Sequence, residues 1–190
     1  MAVKTPYRVA VLTASDKGAK GEREDASGDL IRSVMSSEGY DITASVLVPD
    51  ERDEIAAHLR HLSDSGEIDL ILTTGGTGFS PRDFTPEATK DVIDREVPGI
   101  PEAMRRRSME ITPRGMLSRA AAGIRGRTLI VNLPGSPKAV AENLEVLLQS
   151  LERATENTPE GKDLSFAVHS GGGSWGWSSS GNLPPHTRQK

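Results

Sequence analysis

Three polar clusters in this chain combine residue types that handle phosphate and metal ions. They are Ser15-Asp16, the run Gly75-Gly76-Thr77-Gly78 with Arg82-Asp83 just behind it, and Pro134-Gly135-Ser136. The glycines at 75, 76 and 78 leave a loop with little side-chain bulk, able to turn tightly and present backbone amides to a phosphate. Asp83, beside Arg82 and ahead of a helix start, is placed to ligate magnesium or orient a water while the arginine meets phosphate oxygens. Asp50 offers a second carboxylate. Ser136 precedes Pro137 and Lys138 at a helix start, where free amides and the helix dipole favour anions. Each feature also has a plainer reading. A Gly-Gly-x-Gly run can simply join a strand to a helix, Asp16, Asp25 and Asp50 can be caps or solvated turn residues, and Ser136 caps its helix in any case. There is no Walker phosphate loop, and no Gly-x-Gly-x-x-Gly dinucleotide fingerprint opens the first helix.

Other candidates carry less. Arg105, Arg106 and Arg107 fan over different faces of a helix and cannot share one ligand, so they read as a solvated face from which at most one reaches a phosphate. His58 and His61 have i, i+3 spacing but lack a third ligand, which argues against a zinc site. Phe79 and Phe84 flank the glycine loop and read first as core packing. The absence of cysteine excludes disulfides, thiolate metal sites and a cysteine nucleophile. A net charge of −4 supplies no overall positive field for a polyanion, so nucleic acid is not an expected partner.

The clusters must be positioned by an alternating pattern of strands and helices. Strands are predicted over Tyr7 to Thr13, Asp41 to Val48, Asp69 to Thr74 and Thr128 to Leu133, each a short run rich in apolar and β-branched residues. Leu30, Ile31, Val34 and Met35 recur at helical spacing behind Asp25. Ile55, Leu59 and Leu62 mark a second helix, and Val140, Leu144, Leu147, Leu148 and Leu151 a last one. Thr85, before Pro86, is predicted to cap a further helix. This alternation implies an α/β fold, a three-layer α/β/α sandwich with a mostly parallel central sheet. In such a sheet ligands bind beyond the carboxyl ends of the strands, where all three clusters and Asp50 fall. The expected organisation is one domain over residues 1–155 and a flexible glycine-, serine- and proline-rich tail over 156–190, which holds both tryptophans. The apolar run Val9 to Leu12 is too short for a signal-peptide core or a membrane span, so a cytoplasmic protein with no membrane partner is expected.

Five ordered blocks resemble the molybdopterin-binding domain family, and within it the molybdopterin adenylyltransferases. They are Thr13-Ala14-Ser15-Asp16, Asp25-x-Ser27-Gly28, the long run from Thr73 to Thr89, Leu117-Ser118-Arg119 with Ala122-Gly123, and Asn132 to Ala139. The resemblance spans about Tyr7 to Ala154. It implies transfer of AMP from the co-substrate ATP to the terminal phosphate of molybdopterin with release of pyrophosphate, Mg2+ as cofactor, a homotrimer, and hand-over to a molybdenum-insertion protein. By position it puts the glycine loop and Asp83 at the pterin and metal site, makes Asp50 the other important acid, and adds Ser15, Asp16, Ser118 and the turn Pro134 to Ser136 to the pocket. Two rival activities stay open: hydrolysis of nucleotide pyrophosphates, and non-catalytic pterin binding in an assembly role. The first occurs, by resemblance, in longer chains, so 190 residues favour the stand-alone transferase.

Overall fold

The apolar runs that read as strands lie side by side in one sheet of a computed structural model, which describes residues 7–156. β1 (Arg8–Ala14), β2 (Asp41–Val48), β3 (Leu70–Thr74) and β6 (Thr128–Leu133) run parallel in the spatial order β2, β1, β3, β6. β1, β3 and β6 are buried almost throughout because both faces are covered. β2 lies at the sheet's edge, and its residues alternate between exposed and half-buried.

The pleat sends successive side chains to opposite layers. Val9 and Val11 of β1, Leu70 and Leu72 of β3, and Leu129, Val131 and Leu133 of β6 share one core. It is completed by Ile31 and Met35 of α2 (Ala26–Ser37), Met104 of α5 (Gly99–Ile111), and Val140, Leu144 and Leu147 of α6 (Pro137–Glu156). Ala10, Leu12, Ile71 and Ile130 face the other way, against Ile55, Leu59 and Leu62 of α3 (Arg52–Asp64) and Ala88 of α4 (Thr85–Lys90). The three-layer α/β/α expectation therefore holds. Leu12 and Leu72 are fully buried, and truncation of either to alanine should cost about 2–5 kcal/mol.

Four local features depart from the sequence reading. β5 (Ala122–Arg125) and β4 (Arg95–Glu96) extend the sheet beyond β6 as antiparallel strands, although neither shows a strand pattern: one contains a glycine and the other has two charged residues. A short helix, α1 (Asp16–Ala19), follows β1 directly, capped by the Ser15 side chain accepting from Gly18 N at 3.1 Å. Thr85 is not the cap of α4. Phe84 occupies that position without a side-chain bond, and Thr85 is buried as the first helical residue, its Oγ1 without a partner among the described residues. Nor does Phe79 pack in the core, being 67% exposed. The expected tail lies outside the described residues apart from Glu156, which ends α6.

A buried polar hub fixes the strand ends that carry the site. Asn132 Nδ2 donates to Thr73 Oγ1 at 3.0 Å and Thr89 Oγ1 at 2.8 Å, while its Oδ1 accepts from Ala121 N at 3.1 Å. One side chain thus joins β6, β3, α4 and the approach to β5, satisfying polar groups that would be costly to bury alone. Among the described residues, no helix is long and apolar enough to cross a membrane.

Candidate active site at the carboxyl ends of the parallel strands

The chain passes from β1 to β2 on one side, while β3 pairs on the other, so the ends of β1 and β3 form a point where the strand order reverses. Parallel sheets leave a crevice at such points. Here it is a cleft of about 270 Å³ whose lining includes Thr13 and Ala14 at the end of β1, Ser15 just after it, Asp50 after β2, Gly75, Gly76 and Asp83 after β3, and Gly135 after β6. Residues Arg23 to Ser27, running from the α1–α2 connection into the first turn of α2, also line it.

The floor needs glycine. Gly75 has φ of +91°, and a Cβ there would collide with the carbonyl oxygen of Ala14. Gly135 packs against Gly75 in turn: a Cβ on it would lie 3.3 Å from the Gly75 Cα. Thr74 Oγ1 donates to the Pro134 carbonyl at 2.7 Å, which ties the ends of β3 and β6 together. Backbone can therefore approach a ligand closely across the floor.

The acids are held by their own backbones. Asp16 N donates to Asp50 Oδ2 at 2.8 Å, and Asp50 N donates to Asp16 Oδ1 at 3.1 Å, a reciprocal pair that joins the end of β2 to the start of α1. Arg82 grips both oxygens of Asp16, at 2.6 and 2.8 Å, and reaches Glu51 Oε1 at 2.8 Å. The consequences for the two carboxyls are opposite. The hydrogen bond from Arg82 holds Asp16 below the ordinary aspartate range. Burial raises Asp50, and the negative charges of Asp16 and Asp83 push it further up, against the lowering effect of the Asp16 amide and Arg82. Arg82 itself, bonded to Asp16 and Glu51, is driven above its already high value and stays charged.

Asp83 sits in a turn in which Ser80 N donates to its Oδ2 at 2.7 Å and its own amide donates to Ser80 O at 2.9 Å. Arg119 fixes that turn from behind. Its Nε donates to the Gly78 carbonyl at 2.7 Å, its other nitrogens bond the Asp83 carbonyl and the Glu87 carboxylate, and its amide donates to Thr77 O at 3.1 Å.

The structure thus brings Ser15, Asp50, Gly75, Gly76, Asp83 and Gly135 to one cleft. The other sequence candidates sit around it in supporting positions. Asp16 and Arg82 pair with each other, Thr77 and Gly78 offer carbonyls to Arg119, Pro134 receives Thr74, and Ser136 caps α6 by accepting from Ala139 N at 3.2 Å. The Ser118 side chain accepts from Ala120 N at 3.3 Å, and its carbonyl accepts from Arg105. That bond and one to the Ala120 carbonyl at 3.1 Å take Arg105 out of the solvated face predicted for the arginine run. Asp25 caps α2 through Gly28 N at 2.9 Å, accepts from Thr13 Oγ1 at 2.9 Å, and lines the cleft as well. Sequence reasoning missed the wall from Arg23 to Ser27 as part of the site, although Asp25-x-Ser27-Gly28 marked its end. It also missed the part played by Arg119. No group of three or more histidines and carboxylates arranged to hold a metal occurs among the described residues, and this includes His58 and His61.

The family model described as "Probable molybdopterin binding domain" matches residues 10–153, a stretch that contains every one of these positions. The chain belongs to this family. Among its relatives is the molybdopterin adenylyltransferase of Helicobacter pylori (strain J99), 44% identical over 150 residues, which are 75% of this chain and 82% of the relative. The molybdopterin adenylyltransferase of Escherichia coli K12 is 39% identical over 141 residues, 73% of this chain and 72% of that protein. Among solved structures, the molybdopterin biosynthesis enzyme MoaB from Thermus thermophilus superposes with a TM-score of 0.75 at 48% identity, covering 86% of this chain and 97% of that one. The match runs from β1 into α6 of the described residues 7–156.

Proposed function

We propose that this chain is a molybdopterin adenylyltransferase of molybdenum cofactor biosynthesis, transferring AMP from ATP to the terminal phosphate of molybdopterin. The observation that carries the reading is the convergence of Asp50 and Asp83 on a glycine-floored cleft at the strand-order reversal. Relatives named for this activity match the chain at 39–44% identity, which supports it further.

An oxygen of the pterin phosphate attacks the α-phosphorus of ATP, a new P–O bond forms, the bond from the α-phosphorus to the bridging oxygen breaks, and pyrophosphate leaves. No covalent enzyme intermediate is required. The protein's contribution is positioning and electrostatics. Backbone at Gly75, Gly76 and Gly135 lets phosphates come close, while Ser15 lines the end of β1. Asp50 Oδ1 and Asp83 Oδ1 each accept no hydrogen bond from the described residues, since only the Oδ2 atoms are used. Two such oxygens suit magnesium, which takes one or two carboxylates and completes its shell with phosphates and water. When bound, Mg2+ supplies neutralisation of phosphate charge. Asp83 is its proposed principal ligand, and Asp16 with Arg82 is proposed to hold Asp50 in register.

A homotrimer, a cytoplasmic location and hand-over of product to a molybdenum-insertion protein complete the proposal. Light scattering after size-exclusion chromatography should give three times the 20.3 kDa chain mass, and a monomer would remove the trimer. Incubation of the protein with molybdopterin, ATP and magnesium should give adenylated pterin and pyrophosphate by mass spectrometry. Tight pterin binding without AMP transfer would support the assembly module, and hydrolysis of ADP-ribose would support the pyrophosphohydrolase.

A further inference from the structure

The charge balance of the cleft is unusual for a site that takes phosphates. Its charged lining residues are Arg23, Glu24, Asp25, Asp50 and Asp83: four carboxylates and a single cation. Asp25 is partly offset by Arg32, 3.6 Å away, but Arg32 also bonds Asp29 and Ser45 and does not line the cleft. Arg82, the cation that the sequence offers first, is occupied by Asp16 and Glu51 and does not line it either. Arg119 is committed to Gly78, Asp83 and Glu87. Arg23 alone among the described cleft-lining side chains is positive, and it has no hydrogen bond or ion pair with any described residue.

We propose that Arg23 is a substrate-binding residue whose guanidinium receives a phosphate group of the bound substrates. This rests on the adenylyltransferase reading. A guanidinium presents a planar fork of donors that matches phosphate oxygens, and it cannot lose its charge near neutral pH. Its position between α1 and α2, two residues before the Asp25 cap, anchors the main chain beside it while leaving the side chain uncommitted. Such a group adds little to the stability of the empty protein, because it makes no contact that folding depends on. Its contribution appears on binding, when the incoming oxyanion replaces water around it. Two phosphates in this reaction share that chemistry, the triphosphate of ATP and the terminal phosphate of molybdopterin, and separate binding measurements distinguish them.

The test is titration calorimetry of the full chain with Mg·ATP and, separately and anaerobically, with molybdopterin, for the natural protein, Arg23→Ala and Arg23→Lys. The expected result is a Kd raised at least about tenfold in Arg23→Ala for one of the two ligands, with Tm unchanged and a shallower dependence of log Kd on log salt. Arg23→Lys should recover part of the loss, as a point charge without the fork. A loss confined to Mg·ATP assigns the triphosphate to Arg23, and a loss confined to molybdopterin assigns the pterin phosphate. Both Kd values within twofold of the natural protein in Arg23→Ala would overturn the inference. A natural protein that binds neither ligand would instead overturn the adenylyltransferase reading beneath it.

Discussion

The turn after β2 and the loop after β3 each deliver an aspartate to the same cleft, but they hold it by different means. Asp50 is half-buried and clasped by the reciprocal amide bonds with Asp16, with two other carboxylates close enough to raise its proton affinity. Asp83 stands in a turn whose carbonyls are gathered by Arg119 from outside the cleft, so positive charge stabilises its backbone rather than its carboxylate. Environment divides similar residues into different roles. Asp16 is gripped through both carboxylate oxygens by Arg82, whereas Asp50 and Asp83 each keep an oxygen that accepts no hydrogen bond from the described residues.

The difference between the two acids should show most strongly at Asp83. Asp83→Asn should leave the fold intact and lower AMP transfer by about 100- to 1000-fold, read as kcat for adenylated pterin, because a neutral amide replaces the proposed metal-binding carboxylate. Arg119→Ala should have the next largest effect, a loss of about 10- to 100-fold in kcat as the turn bearing Asp83 loosens. Removing charge-assisted bonds of this kind costs about 2–3 kcal/mol, so Tm measured by scanning calorimetry should fall as well. Arg119→Lys should restore little, since one ammonium cannot span the Gly78, Asp83 and Glu87 acceptors.

Asp50→Asn should move stability and activity in opposite directions. The folded protein raises the Asp50 pKa, so its ionised form is a stability cost that is relieved as pH falls through the folded value. Asparagine removes that cost while keeping an acceptor for Asp16 N. At neutral pH the variant should therefore match or exceed the natural Tm while kcat drops about tenfold. The natural enzyme should gain activity with rising pH along a limb lying above the ordinary aspartate range, and that limb should disappear in the variant.

Arg82→Ala should have the smallest effect. Asp16 is depressed by Arg82, so its contribution to stability is present above its unfolded pKa and lost as pH falls through the lower folded value. Removing the arginine should shift acid unfolding upward in pH. Solvent screens these exposed pairs, so the overall loss of stability should be small and activity should stay within a few-fold of natural.

Much of this was legible before the fold was known, for identifiable reasons. β1, β3 and β6 are buried on both faces, so they read as nearly unbroken apolar runs. Gly75 and Asp83 stood out because a parallel sheet gathers its ligands at strand ends. β4 and β5 were invisible, because two charged residues and four residues containing a glycine carry no strand period. Arg119 lies 36 residues from Asp83 along the chain, and only the antiparallel edge that leads back toward the cleft explains their contact. Sequence reasoning singled out Arg82, next to Asp83, and passed over Arg23. The difference lies in the carboxylates that the fold pairs with each: Arg82 bonds two, and Arg23 bonds none among the described residues.

The most direct test of the two-acid cleft is mass spectrometry of the pterin product from the natural protein and from Asp83→Asn, each with molybdopterin, ATP and magnesium. Adenylated pterin from the first, and its loss from a folded second, is the expected result. Full AMP transfer by a folded Asp83→Asn would contradict the account.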